Sequence, residues 1–258
     1  MALFDELLEV SNKTYHDKMF SITTGYVKEN YNDKFPGKVK VEFFLAEKGK
    51  SVTEWIRVMS SYSGNGYGNF FLPEVGTEVV VGFNMGDINE PIVMGCLWND
   101  KDKLPQKTVD KGNEIKKIRT KGGHEILFDE RKDKEKISIH TIANMTIELE
   151  DKKKLITIKD ASSDNVLEID GKNGEISIKA KKKLSLNVGG KDMLVLDNTT
   201  KTVKIAADMV KIEGKQTLKL KGQNTSLEGS IVKLKAQGTL KAESSGIFQA
   251  KGSLVKIN

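Results

Sequence analysis

The side chains able to do chemistry are few in this chain, and they lie far apart. Its three histidines are His16, His124 and His140, and no two of them form a His-x-His pair, which would place two metal ligands on one side of a strand. His140 lies in the run KISIHTI, where it could meet its symmetry copies on the axis of a trimer and bind a metal or an anion. We expect Ile137 and Ile139 to point inward, which turns His140 outward. We therefore predict no metal site.

The candidate nucleophiles are Ser60, Ser61 and Cys96, and none has a histidine motif beside it. Cys96 is the sole cysteine, which excludes a disulfide framework and a cysteine-based metal site. It lies in an apolar run, so we predict a small buried hydrophobe. Carboxylate pairs later in the chain could resemble a glycosidase dyad, but their regular alternation with apolar residues is typical of solvated strand faces. We predict no catalytic residue and no cofactor.

The glycine-rich run SGNGYGN, residues 63–69, lacks the G-x-G-x-x-G spacing and a following helix, so it predicts a loop of a β-barrel and not a dinucleotide site. The rings that could stack on nucleic-acid bases are Tyr62, Tyr67, Phe70 and Phe71. Between Trp55 and Leu72, however, Arg57 is the only basic residue. We therefore predict no binding of nucleic acid.

The two halves of the chain differ in composition and charge. All four prolines, both tryptophans and all five tyrosines lie in the first 105 residues. Residues 1–114 carry a net charge of −4, and residues 115–258 carry +10. A basic half could indicate a polyanionic partner, but the lysines alternate with apolar residues, which favours the wet face of short strands. With no secretory signal and no apolar run long enough to span a bilayer, we expect synthesis in the cytoplasm.

The first part of the sequence predicts a closed β-barrel. Five runs rich in β-branched and aromatic residues occur in residues 19–100, separated by turn clusters. Five strands in about 80 residues are typical of an OB-type barrel. We predict a short helix or arm in residues 1–18 and a polar linker in residues 101–114.

From residue 115 the chain becomes an internal repeat of short alternating units. The upstream units carry apolar pairs such as Ile137/Ile139, Ile156/Ile158 and Leu194/Leu196. From residue 203 the units shorten, and many close with a glycine, for which we expect a sharp bend that is often at positive φ. The repeat predicts an all-β fold in which each unit is a strand with one apolar face.

A two-residue apolar face does not offset the entropy of ordering its unit, so the units must share a closed core. A monomeric β-solenoid would need a near-constant period, whereas the period here drifts. We therefore predict an intertwined triple-stranded β-helix of three chains over residues 115–258, a homotrimeric needle on the order of 70 Å long. The predicted trimer core is Val203, Ile205, Val210, Ile212, Leu218, Leu220, Leu227, Leu234, Leu240 and Phe248.

The run FFLPEVGTEVVVGFNMGDINEPIVMGCLWND, residues 70–100, resembles the barrel segment of the VgrG and phage baseplate assembly protein V family. The positions that match the family's P-x-x-G-x-E-V, F-x-x-G-D-x-x-x-P-x-x-x-G and closing aromatic-Asn pattern are Pro73, Gly76, Glu78, Val79, Phe83, Gly86, Asp87, Pro91, Gly95, Trp98 and Asn99. The upstream runs GKVKVEF and GNGYGNFFLP, with Trp55, Arg57 and Val58, also fit. The order of a barrel followed by a trimeric β-helix is also that of the family.

The resemblance implies the central spike of a contractile injection machine, such as a phage tail, a tailocin or a type VI system, which pierces a target cell envelope. Because only about 18 residues precede the barrel, we expect the tail hub to be a separate protein. A PAAR-like tip protein is implied at the apex, in contact with Val255 and Ile257. The alternatives are a trimeric tail fibre or adhesin, a nucleic-acid-binding OB protein, and a carbohydrate-active β-helix enzyme.

Overall fold

The computed structural model describes residues 21–44 and 51–256. The fold of these residues is all-β, as predicted, with a closed barrel followed by two open sheets. In this part of the chain no helix is long and apolar enough to cross a membrane. The predicted N-terminal arm (residues 1–18), His16 and Ile257 lie outside the described residues.

The barrel is built from five strands, and a small hairpin extends from it. Its order is β1-β2-β3-β7-β6, closed by pairing of β1 with β6. The pairing of β3 with β7 is parallel and the others are antiparallel. The predicted five-stranded barrel is thereby confirmed. The strands are β1 (Thr23–Glu29), β2 (Lys38–Phe43), β3 (Ile56–Val58), the hairpin strands β4 (Ser63–Gly64) and β5 (Tyr67–Gly68), β6 (Glu78–Phe83) and β7 (Pro91–Cys96).

The barrel closes around a compact aliphatic core because alternate residues of each strand point inward. Gly25 lets β1 cross β2 closely, since a Cβ at this position would lie 2.5 Å from the carbonyl oxygen of Glu42. The core residues, each at most 6% exposed, are Val27, Val39, Val41, Ile56, Val79, Val81 and Val93. This domain therefore buries its apolar surface within one chain.

After the linker, the chain runs as an antiparallel meander of seven strands joined by hairpins. A second, three-stranded meander follows, and the two sheets belong to different compact units, one ending at Lys182 and the other starting at Lys183. The first sheet contains β8 (Ile115–Arg119), β9 (Glu125–Asp129), β10 (Lys136–His140), β11 (Thr146–Glu150), β12 (Leu155–Lys159), β13 (Val166–Asp170) and β14 (Glu175–Lys179). The second contains β15 (Lys183–Val188), β16 (Lys191–Asp197) and β17 (Thr202–Ile205).

Aspartates at strand ends fix several of the hairpin turns. The Asp170 carboxylate accepts the backbone N–H of Lys172 at 2.9 Å, and the Asp197 carboxylate accepts that of Thr199 at 2.8 Å. In other turns a non-glycine residue takes the left-handed conformation, as Asn144 (φ 62°) and Lys154 (φ 53°) do. Local side-chain hydrogen bonds and left-handed non-glycine residues thus shape several of these turns.

The expectation of positive φ at the later glycines is wrong. The glycines that close these units, Gly214, Gly222, Gly229, Gly238 and Gly252, are not among the described glycines with positive φ. Gly214 has no room for a side chain, because a Cβ there would lie 2.6 Å from the carbonyl oxygen of Thr217. The bend brings two backbone segments too close together for a side chain between them.

Residues 206–256 form no strand within one chain, and nearly all of them are exposed. Their alternating pattern therefore finds no partner strand in the same polypeptide. The predicted triple-stranded β-helix over this segment stays a prediction.

Candidate functional site

One face of the first sheet is built almost entirely of apolar side chains. The register aligns Ile139 with Ile126 on one side and with Ile147 on the other, and the same alignment continues across all seven strands. Only Lys116 interrupts this face. Its apolar members are Ile118, Ile126, Phe128, Ile137, Ile139, Ile147, Leu149, Ile156, Ile158, Leu167, Ile169, Ile176 and Ile178. We call this surface the apolar face.

The apolar face is open to solvent in a single chain. Exposure ranges from 37% at Ile126 and Ile156 to 71% at Ile176, and Leu167 is half-buried. Because neighbouring strands lie about 4.8 Å apart, these side chains form a continuous surface. A contiguous apolar patch this wide on a folded protein marks an interaction surface.

The second sheet repeats the arrangement. Leu184 pairs with Leu196, and Leu186 pairs with Leu194 on the same face. The third strand adds Val203 and Ile205, which are 71% and 57% exposed. Each sheet by itself therefore presents one apolar side that its own chain leaves open.

The opposite face of the first sheet is mostly polar and carries cross-strand ion pairs, such as Lys136–Glu148 at 3.1 Å. Opposite charges on its adjacent strands neutralise one another. Several polar residues of this face are buried, and the register also places four apolar residues on it: Ile115, Leu127, Leu155 and Val166. One apolar face and one mostly polar face are typical of a sheet that forms the outer layer of a larger assembly.

A buried ionic cluster lies on this polar face at the start of the sheet. The Glu125 carboxylate contacts the Nζ of Lys117 at 3.1 Å and the guanidinium of Arg119 at 2.9 Å. His140 Nε2 lies 3.3 Å from the same carboxylate, and Lys117 also donates to the carbonyl of Gln106 in the linker. Only 7% of the Lys117 side chain and 5% of the Glu125 side chain are exposed.

The charges of this cluster control the ionisation of Glu125. Burial raises the pKa of Glu125, but hydrogen bonds from Lys117 and Arg119, the charge of Lys117 and the hydrogen bond from His140 outweigh burial and lower the pKa. On the same face, the pKa of Asp129 is lowered chiefly by hydrogen bonds from the Arg131 side chain. Both groups are structural ion-pair partners that fix the polar side of the sheet.

The predicted trimer-core residues downstream of Ile205 are not brought together by one chain. None of those in residues 206–256 lies in a strand, and all are exposed, from 49% at Val210 to 70% at Leu220 and Phe248. Val255, the predicted tip contact, is 53% exposed. That these residues form a shared trimer core stays a prediction.

The residues considered for chemistry are scattered. His140 lies on the polar face, opposite to Ile137 and Ile139 as the alternation predicted, and His124 is exposed in a turn. Ser60 Oγ lies 3.0 Å from the carbonyl oxygens of Tyr62 and Asn69, and Ser61 Oγ accepts from the Asn69 amide, so both hydroxyls support the β4–β5 hairpin. Within residues 21–44 and 51–256, no group of three His, Cys, Asp or Glu side chains could hold a metal ion.

The prediction that Cys96 is buried is wrong. Cys96 is the last residue of β7, and it is exposed although it pairs with the buried Val79. Desolvation and the Asp102 carboxylate both raise the pKa of the Cys96 thiol. The thiol is therefore protonated at neutral pH, which disfavours a nucleophilic role.

The run SGNGYGN forms the β4–β5 hairpin, in keeping with the predicted loop. The rings of Tyr62 and Tyr67 lie tilted against each other with their centroids 5.5 Å apart, and Phe70 and Phe71 are 76% and 69% exposed. Reasoning from the sequence missed the Glu125 cluster. The signal in the sequence was the pair Lys117 and Arg119, two positions apart in β8, because Arg119 pairs with Glu125, the first residue of β9. This signal becomes informative only once the strand register is known.

Comparison with known proteins assigns the barrel. Residues 23–98 match the family model described as the type VI secretion system/phage-baseplate injector OB domain. The chain is 33% identical over 128 residues to the type VI secretion system spike protein VgrG5 of Pseudomonas aeruginosa, covering 46% of this chain and 16% of the relative. It is 31% identical over 128 residues to VgrG4b of the same organism, with the same coverage.

A relative from another organism gives a similar result. The chain is 32% identical over 120 residues to the type VI secretion system spike protein VgrG3 of Vibrio cholerae, covering 43% of this chain and 12% of the relative. The chain thus spans less than a fifth of the length of these curated relatives.

Proposed function

Since residues 23–98 form an injector OB domain of the VgrG-like family, we propose that this protein is a non-enzymatic spike of a contractile injection machine that pierces a target cell envelope. The proposed particle is a phage tail, a tailocin, a type VI system or a related assembly. The spike would assemble with two further copies of itself, with a tail hub at the barrel end and with a PAAR-like tip protein.

The single observation that carries the proposal is the pairing of this barrel with sheets whose apolar faces are exposed. A chain that kept thirteen aliphatic and aromatic side chains open to water would aggregate or associate. Three copies related by a three-fold axis would turn these faces towards one another and exclude water. The likeness of the barrel to an injector OB domain supports a spike of an injection machine, and the open faces supply a reason for self-assembly.

Residues 206–256 belong to the same proposal. Their apolar residues recur in short units, and the units make no ladder within one chain. Winding around two copies would pair their backbone groups and bury the predicted core from Val203 to Phe248. Unpaired backbone donors and acceptors in a dry core are costly, so the ladder and the core must form together.

The proposed role is mechanical. A spike driven by a contracting sheath must resist compression and unfolding along its axis. A continuous interchain hydrogen-bond ladder around an aliphatic core supplies stiffness, and its non-local topology makes unfolding slow. The barrel, with its core closed within each chain, would form the base against which the spike is pushed.

The first experiment measures solution mass. Sedimentation velocity of the purified chain should give about three times 28.7 kDa in mild buffer. The species should also resist dissociation by detergent at room temperature. A folded, monodisperse monomer would overturn the trimer, and with it the proposed spike.

A second experiment separates a spike from a fibre or adhesin. Deletion of the coding sequence in a host that makes the particle should abolish assembly of the baseplate, as seen by electron microscopy. Particles with a complete baseplate that merely lack fibres would favour the fibre. A complementing copy restores assembly in the control strain.

A further inference from the structure

The repeats of the second half differ at one position, the residue between the two apolar members of each unit. Upstream, this middle residue is serine, threonine, glutamate or valine, as in Ser138, Glu148, Thr157 and Val195. From residue 203 onward it is lysine in six of eight units. These six residues, which we call the lysine column, are Lys204, Lys211, Lys219, Lys235, Lys241 and Lys256.

The orientation of the lysine column follows from the alternation. In β17, Lys204 pairs with Val195, on the opposite side of the strand from Val203 and Ile205. The same alternation places each later middle residue opposite its apolar neighbours. If the apolar residues face the axis of a trimer, which rests on the function proposed above, the lysine column lies on the exterior of each chain.

Charge neutralisation also differs between the two parts of the repeat. On the first sheet and its turns several lysines meet acidic partners, as in Lys136–Glu148, Lys152–Asp133 and Lys181–Asp164 at 2.6–3.1 Å. In residues 206–256, the part described beyond β17, Lys241–Glu243 is the one ion pair. Residues 183–258 contain 13 lysines and 6 acidic residues, a net charge of +7. Of the lysine column only Lys241 has an acidic partner among the described residues, so the column is a largely unneutralised basic surface.

In the assembled spike, lysines of adjacent units would be close enough for their electrostatic fields to add. Successive units in a β-ladder stack about 4.8 Å apart, so the lysines of adjacent units, such as Lys204, Lys211 and Lys219, would lie within the Debye length of about 8 Å at physiological salt. Three copies would carry three such columns. The resulting field attracts polyanions that come within about a Debye length of the surface.

The chemistry of the column indicates which polyanion it fits. No arginine follows Arg131, and after Phe128 the one aromatic residue is Phe248. Nucleic-acid binders use arginine forks and aromatic platforms that stack on bases, and this segment offers neither in number. Flexible lysine point charges without base-reading groups suit the phosphates of a fluid lipid surface.

We propose that the lysine column binds the anionic phospholipid headgroups of a bilayer. The spike would thus be held at the membrane surface by electrostatic attraction along its exterior, while its apolar residues stay in the core. Binding of this kind needs no lipid-specific pocket, and it weakens as salt screens the charges.

Vesicle co-sedimentation of the full chain tests this proposal. Vesicles of phosphatidylcholine alone are compared with vesicles that contain one third phosphatidylglycerol, at low and at physiological salt. We expect binding to the anionic vesicles, weaker binding at higher salt, and little binding to the neutral ones. Absence of binding to anionic vesicles, or equal binding to both compositions, would overturn the proposal.

Charge-matched variants locate the binding surface. Each lysine near an anionic surface strengthens binding roughly fivefold, so replacing the whole column with glutamine should weaken vesicle binding at least about 30-fold, even with only two lysines per chain in contact. The column variant with arginine keeps the charge and should bind within about threefold of the unaltered chain. The control removes six exposed lysines of the first sheet and its turns: Lys132, Lys134, Lys152, Lys154, Lys172 and Lys182, each replaced by glutamine.

The control should lose less than about threefold, since its lysines lie outside the column. An equal loss in the column and control variants would mean that only total charge matters and would overturn the proposal. Tighter binding to a single-stranded oligonucleotide than to anionic vesicles would overturn the assignment to lipid.

The sedimentation mass of every sample keeps this test separate from that of the spike. A trimer that does not bind vesicles contradicts the proposed lipid binding alone. A monomer contradicts the proposed spike, whether or not it binds lipid. If the glutamine variant fails to assemble, the arginine variant and the salt series of the unaltered chain decide the outcome.

Discussion

The barrel and the sheets contain the same kinds of side chain but bury them in different ways. In the barrel, Val39, Val41 and Val81 are completely buried, because five strands curve until the first pairs with the last. In the first sheet, residues of similar size such as Ile139 stay 42% exposed, because a meander of hairpins never returns to its first strand. The barrel and the first sheet therefore differ in closure and not in the hydrophobicity of their side chains.

The largest effect is expected when a charge is placed on the apolar face. Ile176 is 71% exposed in one chain, so Ile176→Lys should be nearly neutral for a monomeric sheet. In a trimer it would bury unpaired charges at the axis, and we expect loss of the trimer by sedimentation velocity. Ser177→Lys, on the adjacent polar face opposite Glu168, is the matched control and should assemble normally. Assembly of both variants would remove the apolar face from the interface.

The next effect concerns the buried ion pair. Glu125→Gln leaves Lys117 buried without its partner charge and should lower the free energy of unfolding by roughly 2–4 kcal/mol, measured by denaturant at neutral pH. The control is Glu148→Gln, whose pair with Lys136 is more exposed and should cost less. An equal loss in the two variants would show that burial adds nothing to the Lys117–Glu125 pair.

The same pair predicts a pH dependence. Because the folded-state pKa of Glu125 is lowered, its stabilising contribution is complete above the ordinary glutamate pKa and is lost as the pH falls through the lowered pKa. The melting temperature of the unaltered chain should therefore drop as the pH falls from about 5 to 3. Glu125→Gln should show a shallower drop, and an unchanged slope would contradict the assignment.

A smaller effect is expected inside the barrel. Val41→Ala removes buried methyl groups and should destabilise the barrel by roughly 1–3 kcal/mol. Hydrogen exchange of the full chain should become faster in the strands of the barrel and stay unchanged in β8–β14. The oligomeric mass should not change, because this core is complete within each chain. A loss of oligomer would mean that barrel and sheets do not close independently.

The smallest effect is expected at the solvent-exposed ion pairs. Lys152 and Asp133 lie 2.9 Å apart with side chains 62% and 60% exposed, so Lys152→Gln should change stability by less than about 0.5 kcal/mol. Thermal unfolding in low salt would measure it. A change above about 1 kcal/mol would show that this turn is buried in the assembly.

The sequence predicted the barrel and the apolar pairs because both are local patterns. Alternation with a period of two places Ile137 and Ile139 on one face whatever else the chain does. It could not give the burial of Lys117, because that depends on the linker residue Gln106 lying against the sheet. It was wrong about Cys96, because an apolar run does not show that a residue at the very end of a barrel strand stays exposed.

The sequence by itself thus determined an all-β chain and repeats with one apolar side, since strand geometry converts residue order directly into faces. Its motifs in residues 70–100 added the resemblance to an injector-type OB barrel. The tertiary structure decided which of these faces are closed. Valines of the barrel meet across a sheet that joins its own edge, whereas the isoleucines of β8–β14 remain on an open side. Closure depends on contacts between residues distant in the chain. Five strands in about 80 residues predicted it for the barrel, but no local pattern gives it for the sheets.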